Sequence, residues 1–263
     1  MNKGLIILIA LVFISCNNKV VFVDSEHKVD SQQELMEPTE PKATEAWEPK
    51  PKVVTVHEDT KIPSDAIVLF NGENFSEWES SADASGVEWI LNSDKSMTVK
   101  NKAGDIQTKR NFGDIQLHLE WKSSEKIKGK GQSRSNSGVF IQGRYEVQVL
   151  DNNNNETYVN GQVGSIYKQS IPLAQASSKI GHWNIYDIIY HAPVFSEAGD
   201  KTKAGTITVL HNGVLIQDHY KIKGSTAFIG WPKNTPHGKA PIKLQDHRDN
   251  SGVSYRNIWV REL

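Results

Sequence analysis

The chain has 263 residues, with 30 Lys and Arg against 31 Asp and Glu and a formal net charge of -1 at pH 7. That balance, with no basic stripe interleaved with aromatics, excludes an electrostatic footprint for nucleic acid, so no nucleic acid is expected as a partner. Seven Trp and 37% apolar residues suffice for a substantial core, while the single cysteine excludes a disulfide framework.

The run MNKGLIILIALVFISC sets Lys3 before an apolar stretch, Leu5 to Ile14, and ends on Ser15-Cys16. Its apolar part is about half of the roughly 20 residues a membrane span requires. Residues 1–15 therefore read as a lipoprotein signal peptide. Cys16 would be acylated after cleavage and tie the protein to the membrane through a lipid anchor. A plain secretory signal is the alternative. Asn17-Asn18-Lys19 carries no acidic cluster, which favours an outer-membrane location facing the periplasm. Residues 16–63 centre on EPTEPKATEAWEPKPK. They bury too little apolar surface to offset their ordering entropy and read as a disordered Pro/Glu/Lys-rich tether.

Residues 64–263 show short runs of apolar-polar alternation bounded by Gly, Pro and Asn-Gly signals. AIVLF, SMTVK, DIQLHLEW, SGVFIQ, YEVQVLD, NIYDIIYHA, TITVLHNGVLIQD, IKLQDH and VSYRNIWVREL are the expected strands, with a tight turn at Asn212-Gly213. The expected class is all-β, a single two-sheet antiparallel sandwich or jelly roll. The last two strands are expected to form a terminal hairpin.

Alternation places the polar residues. In Ile115 to Trp121 the odd positions pack inward, so His118 and Glu120 leave the core side by side. In Tyr145 to Asp151, Val147 and Val149 face the core and Glu146 and Gln148 face away. In Ile242 to His247, Gln245 and His247 share a face, with Asp246 opposite and suited to capping turn N–H groups. An outer sheet face is commonly just solvated, but acids, amides and imidazoles suit a sugar-binding face better than Lys and Thr would. Tyr145, Tyr158, Tyr167 and Trp231 are candidate aromatics to cover a pyranose ring. If three such strands share one sheet, His118, Glu120, Glu146, Gln148, Gln245 and His247 converge on one concave pocket.

The runs LHLEW, RSNSGVFIQGRYEVQVLD, NGQVGSIYKQ, TVLHNGVLIQDH, PIKLQDH and YRNIWVREL, in order over about Ile67 to Leu263, resemble the 3-keto-disaccharide hydrolase domain family. The resemblance implies a concanavalin-like or glucanase-like jelly roll in a secreted or envelope-attached bacterial protein acting on oxidised sugars. Where similar members read QDHGNPV, this chain reads Gln245-Asp246-His247-Arg248-Asp249-Asn250-Ser251-Gly252-Val253, a rebuilt turn with an added cation.

A ketone at C3 of a glycoside acidifies the C2 proton, so a base can remove it and the C1 substituent can leave by elimination; hydration then completes net hydrolysis. Such a site needs a base, an electrophile at the C3 oxygen and a donor to the leaving group. Histidine, titrating ordinarily near ~6.5, suits the base. His247 or His118 is the candidate. Glu120 and Glu146 are candidates to orient the imidazole, protonate the leaving group or hold a divalent metal ion at the ketone. Arg134, Asn136, Gln148 and Gln245, with Tyr158 and Tyr167, are candidates for substrate binding. The partners so implied are an oligosaccharide or glycoside substrate and a separate sugar 3-oxidising enzyme, since this chain has neither a dinucleotide fingerprint nor a thiol pair. Two other readings stay open: a conventional glycosidase using Glu120 and Glu146 as a carboxylate pair, and a lectin-like glycan-binding module.

Overall fold

The computed structural model describes residues 37–126 and 128–263. The expected signal peptide, Cys16 and the first part of the expected tether lie outside the described residues. The chain divides into two units between Lys52 and Val53. In the first, the described residues hold one short 3-10 turn, Pro41–Thr44, and are all exposed. No helix among the described residues is long and apolar enough to cross a membrane.

The second unit, Val53–Leu263, begins with a segment folded back by a bridge between Val56 and Pro63. Its strands are β1 Ile67–Phe70, β2 Trp78–Ser80, β3 Ile90–Leu91, β4 Met97–Thr98 and β5 Ile106–Thr108. There follow β6 Ile115–Lys122, β7 Ser137–Ile141, β8 Tyr145–Val149, β9 Asn184–His191 and β10 Val194–Phe195. The last are β11 Lys201–Lys203, β12 Thr206–His211, β13 Val214–Lys221, β14 Lys243–Leu244 and β15 Ser254–Glu262.

All but β10 and β11, which pair as a separate two-stranded ribbon, form the expected all-β antiparallel sandwich. The larger sheet runs β13-β12-β9-β6-β15-β4-β3, with β1 also on β15, and the smaller runs β2-β5-β14-β7-β8. Leu117, Leu119, Val147 and Val149 are fully buried in the core, each contributing on the order of 1.5–3 kcal/mol by leaving water. The β12–β13 hairpin turns at Asn212 and Gly213, both at positive φ, the backbone an Asn-Gly turn favours.

The terminal hairpin does not form. β14 pairs with β5 and β7 in the smaller sheet, whereas β15 pairs with β1, β4 and β6 in the larger. The two strands carry the chain from one sheet to the other, so the Gln245 to Val253 turn spans the sandwich edge.

β8 is the free edge of its sheet, yet all five of its residues are buried. The loop after it supplies the cover: Val147 bridges Ile166, Gln148 N donates to Ser165 O at 3.0 Å, and Tyr167 N donates to Glu146 O at 3.1 Å. Covering the edge also removes the outer-face residues Glu146 and Gln148 from bulk water.

Candidate functional site

The outer face of the smaller sheet carries two cross-strand rows. Lys243 on β14 pairs with Phe140 on β7, which pairs with Glu146 on β8. One row on, Gly138 pairs with Gln148, and Gln245 N donates to Gly138 O at 3.1 Å, extending the β14–β7 ladder. Successive residues of a strand face opposite ways, so all of these leave the core on one side. Gly138 is the low point. A Cβ there would lie 2.5 Å from Glu146 Oε1 and 2.8 Å from Phe140 Cε2, so only glycine lets the carboxyl occupy its place.

Phe140, Glu146, Gln148 and Gln245 line a cavity of about 350 Å³ together with Asn136, Tyr167, Thr226, Phe228 and His247, a size that suits a small ligand. Burial pushes the Glu146 carboxyl up to about 8; Lys243 opposes the rise and Asp105 adds to it. Lys243 is itself engaged, its Nζ 2.8 Å from Asp105 Oδ2 and 4.4 Å from the Phe140 ring centroid. Glu146 therefore carries its proton at neutral pH, as desolvation favours the uncharged form. Gln148 and Gln245 each hold a buried side-chain carbonyl with no partner among the described residues.

The turn after β14 fixes His247. Asp246 points away from the cavity, accepting from Arg248 N at 2.9 Å and Gly104 N at 3.0 Å, the capping expected of it. Arg248 and Asn250 sit at positive φ, which folds Asp249 back beneath the ring. Asp249 Oδ2 lies 3.0 Å from His247 Nδ1. That contact places the neutral ring's proton on Nδ1 and leaves Nε2 as the acceptor.

Of the residues singled out in the sequence, Asn136, Glu146, Gln148, Tyr167, Gln245 and His247 are thus brought together. His118 and Glu120 are not. β6 belongs to the larger sheet, and its even positions leave the core on the far side of the sandwich. There His118 lies 2.6 Å from Asp187 and stacks on Trp259 at 5.0 Å, and Glu120 accepts from Arg256 and Asn257. Glu120 and Glu146 therefore cannot form the carboxylate pair of a conventional glycosidase, nor share a metal ion. Arg134 pairs with Asp151 at 2.8 Å and donates to Asn153 O, bracing the loop after β8 instead of lining the cavity. Tyr158 lines a neighbouring hollow, its hydroxyl 2.6 Å from that of Tyr167. Tyr145 is a core residue bonded to His237 at 2.7 Å.

No group of three or more His, Cys, Asp or Glu among the described residues is set to hold a metal ion. Glu146 is the one carboxyl among the residues that line the cavity.

Sequence reasoning missed Asp249, Phe140, Thr226 and Phe228. Phe140 was accessible by parity with Gly138, and Asp249 by its two-residue spacing from His247. Thr226 and Phe228 lie in an irregular loop with no period to read.

The comparisons with known proteins agree with this architecture. A family profile described as "3-keto-alpha-glucoside-1,2-lyase-like domain" matches residues 65–261. The structure is similar to that of a "putative glycosyl hydrolase" from Parabacteroides distasonis ATCC 8503, at 53% identity and a TM-score of 0.82, covering 85% of this chain and 97% of that one. A second structure of the same description and organism, 20% identical with a TM-score of 0.58, covers 80% of this chain and 98% of its own and shares the fold. Among curated proteins no significant match is found. With the profile spanning most of the sandwich, the chain belongs to the 3-keto-α-glucoside-1,2-lyase-like domain family.

Proposed function

We propose that this protein is a carbohydrate-active enzyme that cleaves the glycosidic bond of 3-keto-glycosides by elimination across C1 and C2. The observation that carries this reading is one cavity holding a buried, protonated carboxyl, Glu146, and an imidazole oriented by a carboxylate, His247 with Asp249. Glu146 holds a proton to give, and the Asp249 contact at Nδ1 leaves His247 Nε2 as the acceptor, the acid and base that elimination needs.

His247 Nε2 takes the C2 proton, and the C2–H electron pair forms the enolate with the C3 ketone. The enolate then re-forms the ketone as a C1–C2 double bond appears and the C1–O bond breaks. Glu146 delivers its proton to the departing oxygen. The product is a 1,2-unsaturated 3-ketone, and addition of water across C1 and C2 converts it to the free 3-keto sugar. The side-chain amides of Gln148 and Gln245, which line the cavity, bind sugar hydroxyls. Phe140 and Tyr167 supply apolar surface to the ring.

The ketone must be installed elsewhere, by a separate sugar 3-oxidising enzyme. The sequence of residues 1–16 supports attachment of the domain through an acylated Cys16 to the outer membrane on its periplasmic side. Incubation with matched native and 3-keto disaccharides tests the reading. Release of monosaccharide with transient enone absorbance from the 3-keto sugar alone is expected. Equal cleavage of the native sugar would overturn it, and binding without turnover would make the protein a glycan-binding module.

A further inference from the structure

A second hollow adjoins the first and has no role in the chemistry above. It is lined by Tyr158, Asn160, Lys168, Trp231 and Pro232, and it shares Tyr167 with the Glu146 cavity. One loop walls both. Thr226 and Phe228 face the Glu146 cavity, while Ala227, Gly230 and Trp231 face its neighbour. The loop is held in place by Lys168, whose Nζ donates to Phe228 O at 2.6 Å and lies 4.5 Å from the Phe228 ring centroid. Lys168 also approaches the Tyr158 and Tyr167 rings, 5.6 Å from each centroid. Trp231 nevertheless remains 88% exposed. An indole left in water beside a cavity, on a loop that is otherwise pinned, presents a flat apolar face with nothing packed on it.

We propose that this hollow is the leaving-group subsite, which takes a flat aglycone, an aryl or pyranosyl ring, against Trp231 and Tyr158. The inference rests on the elimination reading. The reacting sugar must lie with the acid and base, so whatever is joined through its C1 oxygen has to leave the Glu146 cavity. The adjoining hollow at Tyr167 is where the two cavities meet. The pocket therefore selects for the size and flatness of the leaving group as well as for the oxidised ring.

The test compares methyl and 4-nitrophenyl 3-keto-α-glucosides as substrates of the wild-type protein and of Trp231→Ala and Trp231→Phe. Trp231→Ala is expected to lower the ratio of kcat/KM for the 4-nitrophenyl over the methyl glycoside about tenfold, through KM, because one ring–ring contact is lost. Trp231→Phe should restore most of the ratio. Since Trp231 is exposed, the thermal midpoint should not change. A Trp231→Ala variant that slows both substrates equally, or changes neither, would overturn the subsite. Turnover of the methyl glycoside by the wild type reports on elimination alone. If neither glycoside is turned over, calorimetric titration of 4-nitrophenyl 3-keto-α-glucoside into wild type and Trp231→Ala still reads the subsite. Equal affinities there would also overturn it.

Discussion

Gly138 and Glu146 occupy neighbouring strands so closely that a methyl group on the glycine would fall 2.5 Å from Glu146 Oε1. The space above Gly138 is thus what admits the Glu146 carboxyl. Gly138→Ala should fold with a loss of about 1–3 kcal/mol from overpacking. Its kcat should drop by on the order of 10²-fold, because a carboxyl displaced by an ångström no longer meets the leaving oxygen. Denaturant melts and steady-state rates of the variant check both.

The Glu146 carboxyl titrates near 4.5 when free and at about 8 in the fold. Between those values the native state holds a proton that the unfolded chain has lost, so stability from this group is full below about pH 4.5 and falls as pH rises to about 8. Glu146→Gln should remove that slope from melting curves. In the wild type kcat should decline above about pH 8, as the acid loses its proton. Glu146→Gln should be slow at every pH.

Asp249 lies 3.0 Å from His247 Nδ1, so in the proposed reaction it acts only through the imidazole. Asp249→Asn should lower kcat while leaving KM nearly unchanged, since the ring loses the partner that sets its tautomer. His247→Ala should cost about 10²–10⁴-fold, the usual contribution of a positioned base. Rates measured beside thermal midpoints separate this from unfolding.

On the opposite face, His118→Ala and Glu120→Gln should leave kcat and KM at wild-type values. Each should destabilise the fold by about 1–2 kcal/mol, as the Trp259 stack or the hydrogen bonds to Arg256 and Asn257 are lost. A large loss of activity in either, without unfolding, would return these residues to the site.

The contrast between Glu146 and Glu120 shows how far alternation reads. In both strands the parity of apolar positions correctly gave the residues that leave the core. Parity is local, however, and says nothing about which sheet a strand joins. β6 and β8 lie in different sheets, so one correct rule led to a cavity-lining carboxyl at Glu146 and to a structural brace at Glu120. The same limit undid the terminal hairpin: β14 and β15 are adjacent in sequence, but their pairing is set by long-range partners. Asp246 was legible because its role is local, a carboxylate two residues before the N–H that it caps. Phe228 was not, because its position depends on a loop held by Lys168, sixty residues earlier in the chain.

Removal of the C2 hydrogen is read most directly by comparing a 3-keto-disaccharide carrying deuterium at C2 with its protium form, at limiting substrate. Proton abstraction by His247 predicts a primary isotope effect on kcat/KM, with the unsaturated ketone detected in a single turnover before water adds. Equal rates for the two isotopologues, with deuterium retained at C2 of the released sugar, would show that the bond is cleaved without an enolate and contradict the roles assigned to His247 and Glu146.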